Sequence, residues 1–445
     1  MLSVLLLAAC DLAPLEAGAT PEAQPQAAQG GDAADDGAAA RGGDAGDSAA
    51  GDGDAAAAGG ASNVTADGDR PAPASLDGVN FDGPLVITEG GTYSGNWSSD
   101  DPETAAVTIQ TSEPVVIQQS RLRSRGDLIF SDAEGADLTV RNTVAEGLNP
   151  GVEGQPAGRF LRMYSPASVT VTRNELNNTS GMLFGYYAGD GSAGDTFKII
   201  GNRATNIDGR LSDGGGGFSQ DDDSAELVQF VQFSSVQDVP GIEVAWNDVV
   251  NEPGNSRVED VISVYLSSGT PDSPISIHNN YINGAYPTNP ESDGYSGGGI
   301  MLGDGQGDED GVEHVEASDN TVLNTTNYGM AIAAGRNATM RDNRVLSTGV
   351  LPDGTPVAAQ NVGLYVWNYH GQGAFGDNSA VDNVVRWERP NQGERQDMWF
   401  PDIAEEVGNQ VLGDRVTDAL LENEYQRWER KAVDAAKRVG AAIAE

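Results

Sequence analysis

The sequence predicts an all-β fold, a right-handed parallel β-helix (a solenoid), followed by a C-terminal amphipathic helix. Two observations carry this. First, nine asparagines (Asn142, Asn174, Asn202, Asn247, Asn280, Asn320, Asn343, Asn383 and Asn409) each follow a short run of alternating apolar and polar residues and stand two residues before a small or aliphatic one. They are 32, 28, 45, 33, 40, 23, 40 and 26 residues apart, so a fixed rung is joined by loops of variable length. Second, another apolar stretch precedes most rungs, at 160–164, 182–186, 227–233, 261–266, 299–303, 329–333 and 363–367. Each coil therefore has at least two strands. A period-2 strand buries alternate residues, and a corner asparagine can bond to its counterpart one coil away, which satisfies an amide that would otherwise be buried alone. An all-β sandwich with Asn-rich turns is the competing arrangement.

In chain order, the first segment is the apolar run Leu2 to Ala9, ending in Leu7-Ala8-Ala9-Cys10. It resembles the lipobox of a bacterial lipoprotein signal, although no Lys or Arg precedes the run. The resemblance implies export, cleavage before Cys10 and lipidation of that cysteine, placing residues 11–445 in the cell envelope, at the outer surface or in the periplasm. Residues 11–75 are almost entirely Ala, Gly, Asp, Pro, Gln and Ser, with twelve acidic residues against Arg41 and Arg70. So little apolar surface cannot offset an ordering cost of about 1–2 kcal/mol per residue, and a disordered, self-repelling tether is expected.

The solenoid is expected over residues 76–412, opening with the strands of Gly83 to Ile87 and Ala106 to Ile109 and continuing through Ile117, Leu122 and Leu128 to Phe130. In residues 413–445, Val416, Leu420, Leu421, Tyr425, Trp428, Ala432, Ala435, Val439 and Ile443 recur at helical spacing. They predict a helix from about Asp414 to Ala444 that shields the open edge of the last coil. A partner-binding helix is the functional alternative.

Composition limits the function classes. A net charge of −42 with only three lysines against 22 arginines repels nucleic acid and anionic membrane surfaces, so the expected contact with membrane is through a lipid on Cys10 alone. The single cysteine allows no intramolecular disulfide. The glycine runs at 214–217 and 297–299 precede strands with no helix start, so they lack a phosphate cradle and suit tight turns or close approach.

The repeat pattern over Leu76 to Leu412 resembles that of the pectate-lyase-like superfamily of right-handed β-helices. That resemblance implies a groove along one sheet and a polysaccharide partner, acted on by elimination or hydrolysis. Asn206-Ile207-Asp208-Gly209, the adjacent acids Glu259-Asp260 and His370-Gly371 resemble elements of polygalacturonase sites, with wider separations and with Glu-Asp in place of two aspartates. Fold alone does not carry function.

Strand parity places Ile262, Val264, Ile300, Leu302, Met330, Ile332, Leu364 and Val366 inward and Tyr265, Gly303, Ala333 and Trp367 in one outward column. Coils stacked about 4.8 Å apart would set Tyr265 and Trp367 roughly 14 Å apart, a span for a short oligosaccharide whose apolar faces stack on rings. Tyr365, Asp208, Arg210, Tyr286 and Tyr295 join them as binding candidates, the last four from the long charged loops 206–226 and 283–299. For hydrolysis, Glu259 and Asp304 are expected to flank one bond, with Asp260 as the paired acid and His370 as a proton carrier. For elimination, Arg257, Arg336 or Tyr265 would act with calcium. Asp304, Asp308 and Asp310, in a glycine-rich acidic loop, are the calcium candidates, and no organic cofactor is implied. His278, His314 and His370 lie on different coils, which disfavours zinc. A non-catalytic carbohydrate-binding or adhesive protein and a structural spacer are the alternatives to an enzyme. Either a monomer or a side-by-side homotrimer fits the fold.

Overall fold

The computed structural model describes residues 74–443 except 193, 222–224, 308–310, 391 and 393–395, with side chains described to residue 435. Cys10 and nearly all of the 11–75 tether lie outside the described residues, as do Asp308 and Asp310.

Three parallel sheets of 11 strands each wind through the described residues, every coil giving one strand to each sheet. The first sheet runs from Leu85–Ile87 to Met398–Trp399, the second from Gly91–Tyr93 to Glu405–Val407, and the third from Asn96–Ser99 to Gln410–Val411. This is the expected parallel β-helix, with three strands per coil.

The alternating pattern builds the interior. In the second sheet Val140, Val171, Ile199, Val244, Ile277, Ala317, Met340 and Ala380 stack in unbroken register and are fully buried. β-Branched side chains fit a stack repeating at about 4.8 Å, because their few rotamers pack on the like residue above and below. Phe184, Phe197 and Phe233 fill a wider section, their ring centroids 5.4 to 5.7 Å apart.

The turn between the second and third sheets holds the asparagine ladder. Each amide from Asn174 to Asn383 donates to the Oδ1 of the next asparagine, at 2.9 to 3.0 Å, and to a carbonyl of the preceding coil. The backbone N–H of each donates to the same Oδ1. Asn142 is not part of it. Thr143 occupies the first rung, its N–H donating 3.0 Å to Asn174 Oδ1, while Asn142 takes the left-handed corner before it, with φ 52°. The same corner is filled by Asn279, Asp319, Asp342, Asp382, Gly201 and Gly408, residues that tolerate positive φ, and also by Arg173 and Trp246. Asn142 matches the repeat in sequence because an asparagine suits either corner position.

The C-terminal helix, Asp418–Ile443, begins at Thr417, whose Oγ1 accepts from the Leu420 N–H at 3.3 Å. Its stripe of Leu421, Tyr425 and Trp428 packs on Tyr281, Leu323 and Leu346 of the third sheet, with Trp428 Nε1 donating 2.6 Å to the Asn279 carbonyl. Glu424 pairs with Arg344, and Lys431 with Asp319 at 2.9 Å. The helix thus covers the outer flank of earlier coils. It does not shield the last coil, where Glu405–Val407 is exposed and Val407 is 49% accessible. The reason is chemical: the flank offers a deep apolar strip around Tyr281, whereas the final strands present Glu405 and Glu406.

Asn280→Ala is expected to strand the Asn247 N–H and the Val244 carbonyl, costing about 1–3 kcal/mol for each unpaired group. Asn142→Gly keeps the left-handed corner and is expected to cost under about 1 kcal/mol. Urea unfolding of both variants checks the assignment, and equal losses would refute it.

Candidate functional site

The outer face of the first sheet between residues 260 and 399 gathers most of the chemistry. Strict alternation would turn Asp260 inward with Ile262, yet Val261 and Ile262 both belong to the core. The alternation slips once between them, and Asp260 emerges on the outer side of the coil. Its register neighbour in the next coil is Gly298, followed by Tyr328. The Tyr328 hydroxyl donates to Asp260 Oδ1 across the intervening coil. Gly298 leaves the space for this: a Cβ there would meet the Tyr328 ring at 2.4 Å. Tyr365 closes the arrangement edge-on to Tyr328, with centroids 5.5 Å apart.

Asp260 is only 6% exposed. Burial holds its carboxyl well above the usual carboxylate range, and the charges of Glu259 and Asp304 add to that, while the hydrogen bond from Tyr328 opposes it. The hydroxyls of Tyr328 and Tyr365 are also raised, first by burial and then by the neighbouring carboxylates. Beside Asp260, Glu259 accepts from Arg257 at 2.8 Å and from Ser296 Oγ at 2.6 Å. The Arg257 guanidinium lies 5.1 Å over the Tyr295 ring, and the Tyr295 hydroxyl donates 2.6 Å to the Val258 carbonyl. One wall is therefore a tightly bonded Arg257, Glu259 and Tyr295 unit.

The far end of the same strands carries a second cluster. Asp304 sits opposite Tyr265 and accepts from His370 Nε2 at 2.7 Å. Tyr265 is raised by burial and then by Asp304. His370 packs edge-on to Tyr369, which meets Trp367, which in turn meets Trp399, at centroid distances of 4.9, 5.0 and 5.2 Å. Gln372 pins the neighbouring loop through the carbonyls of Gly305 and Gly307, at 2.8 and 3.1 Å.

The expected column of Tyr265, Gly303, Ala333 and Trp367 does not form. Register shifts between Ser263 and Tyr265 and between Met301 and Gly303 set Tyr265 against Asp304 and Gly303 against Ile332. An extra residue accommodated in one coil displaces every later side chain of that strand. The continuous outward column is Ser263, Met301, Ala331, Tyr365 and Trp399. Tyr365, at 3% exposure, is part of its buried floor, and Trp367 and Trp399 stand at the half-buried end.

The other predicted residues fall into separate settings. Asp208 and Arg210 form a buried two-pronged pair that also receives the Arg257 N–H at 3.2 Å, tying two loops together. Arg336 pairs with Glu313 at 2.7 Å, away from the Asp260 cluster. Tyr286 is buried against Gly284. The glycines at 297 and 298 do permit close approach, with the rings of Tyr295 and Tyr328 as the approaching groups. Among the described residues, no group of three or more His, Cys, Asp or Glu is arranged to hold a metal ion. Tyr328 and Trp399 are the residues that sequence reasoning missed. Tyr328 lies just before the apolar stretch 329–333, where strict parity with Met330 would turn it inward, and only its identical register to Asp260, two coils away, could have flagged it.

No family model matches this chain, and no curated protein matches it.

A carboxyl raised in the fold is protonated and harmless below its unfolded value, and it subtracts stability as the pH climbs through its folded value. The wild-type unfolding midpoint is therefore expected to fall with rising pH in a way that Asp260→Asn abolishes, whereas parallel pH curves for the two proteins would contradict the assignment.

Proposed function

We propose that this protein hydrolyses a polysaccharide outside the cytoplasm, carried there by a lipid on Cys10. The observation that carries the reading is Asp260: a buried, proton-retaining carboxyl on the outer face of a solenoid, with Glu259 beside it and Asp304 within electrostatic reach. Hydrolysis of a glycosidic bond needs one carboxyl that arrives protonated and another that accepts a proton from water or attacks directly. Asp260 suits the first role. Asp304, partnered by His370 and with its side chain 37% exposed, suits the second.

Elimination from a uronic acid polymer is less well supported. It requires a cation to neutralise the substrate carboxylate, and Arg257 and Arg336 are engaged with Glu259 and Glu313. The field of the protein also disfavours a polyanion. Residues up to 75 account for twelve acids and two arginines, which leaves −32 of the total charge of −42 to the rest of the chain. Trp367, Tyr369 and Trp399 supply ring faces on which sugar units stack, and they favour a second reading, a carbohydrate-binding protein without catalysis.

The full chain, offered neutral and acidic polysaccharides with and without calcium, is expected to release new reducing ends without unsaturated products. Asp260→Asn is expected to lower kcat by about 10²- to 10⁴-fold. Unsaturated products would replace hydrolysis with elimination. Binding without product, weakened by about tenfold in Trp367→Ala, would leave the binding reading.

A further inference from the structure

We propose that Tyr328 is the positioning residue of the acid, holding Asp260 Oδ1 through a hydrogen bond that crosses a whole coil by way of the gap at Gly298. The inference rests on the hydrolytic reading for its chemical purpose, but its geometry stands independently. Asp260 and Tyr328 are 68 residues apart and belong to coils that do not touch through their backbones, since the strand Gly298–Asp304 lies between them. Any residue other than glycine at position 298 would push the ring away, because a Cβ would sit 2.4 and 2.5 Å from two of its carbons. The ring is met edge-on by Tyr365, and it is 2% exposed.

Among the described residues, these groups act on Asp260. Glu259 comes from its own segment, Asp304 and the Gly298 N–H from the next coil, Tyr328 from the one after, and Tyr365 from the coil beyond. In the preceding coil, Gln229 stands two residues before Val231, as Asp260 stands two before Ile262, the register partner of Val231; it is uncharged and leaves its Oε1 buried without a hydrogen bond. Burial and two acidic neighbours bind the proton tightly, and an acid that never releases its proton is a poor catalyst. A phenol donating to one carboxyl oxygen stabilises the ionised form and so offsets part of that effect. It also fixes the ring of contacts in which Oδ1 is the acceptor, so Oδ2 is the oxygen left to carry the proton. Tyr328 thus sets both the orientation of the acid and the pH at which it gives up its proton.

The test uses the full chain as wild type, Tyr328→Phe, Asp260→Asn and the double variant. Unfolding midpoints are read across pH, and the pH profile of turnover is read on whichever polysaccharide gives product. With the phenol removed, the stability loss caused by Asp260 is expected to begin at the same pH but to continue about one pH unit or more higher before it levels off, and the alkaline limb of turnover is expected to rise with it. In the Asp260→Asn background, Tyr328→Phe should have no pH-dependent effect. A loss of stability that is the same at every pH, with or without Asp260, would overturn the proposal and reduce Tyr328 to packing. Gly298→Ala supplies a second route to the same bond and is expected to reproduce the displaced limb. Undiminished turnover in Asp260→Asn would defeat the hydrolytic reading alone, because the unfolding curves need no substrate.

Discussion

The asparagine ladder is the interaction on which the rest of this structure depends. Each side-chain amide joins three coils, accepting from the rung before, donating to the rung after and returning a donor to a backbone carbonyl. Because the rungs repeat with the strand spacing, a slip of one residue in any coil would leave buried amides and N–H groups without partners on both sides. The ladder therefore fixes register at one corner, and the aliphatic stacks of the second and third sheets follow from it. The loops are free to vary in length because they leave and rejoin the coil elsewhere.

The first sheet, farthest from that constraint, is where register is relaxed. Its pairings shift at Gly181/Met182, Ser263/Tyr265 and Met301/Gly303, whereas the second sheet keeps its register from coil to coil. The irregularities reposition side chains. The two consecutive core residues Val261 and Ile262 turn Asp260 out of the interior, and the glycines that follow in later coils open the outer face for Tyr295 and Tyr328. A regular solenoid face would have shown alternating small polar groups. This one brings acids, a histidine and aromatic rings together over five coils.

Asp260 shows how burial sets the charge state of a carboxyl against the stability of the fold. Its burial opposes ionisation, and Glu259 and Asp304 reinforce that opposition, so the folded state resists the charge that neutral pH would otherwise impose. Glu243, on the second sheet, is the contrast. There a hydrogen bond from His278 and the nearby Lys198 hold the carboxyl down to about 2, outweighing its partial burial, and the group stabilises the fold. The opposite directions of the two shifts come from what surrounds each carboxyl.

The sequence by itself determined the solenoid, its direction of stacking, the inward residues and the amphipathic helix, because these follow from periods of 2 and 3.6 and from a corner residue that recurs. It also pointed to Glu259, Asp260, Asp304 and His370 as residues of one face. Only the tertiary structure decided that Thr143 and not Asn142 begins the ladder, since asparagine satisfies both a left-handed corner and a buried rung. Only it could bring Tyr328 to Asp260, turn the expected Tyr265 to Trp367 column aside, and lay the helix along the flank. Those outcomes depend on single-residue insertions and on contacts between coils tens of residues apart. A local pattern cannot register them, because a bulge changes which side chains meet while leaving the alternation on either side of it intact.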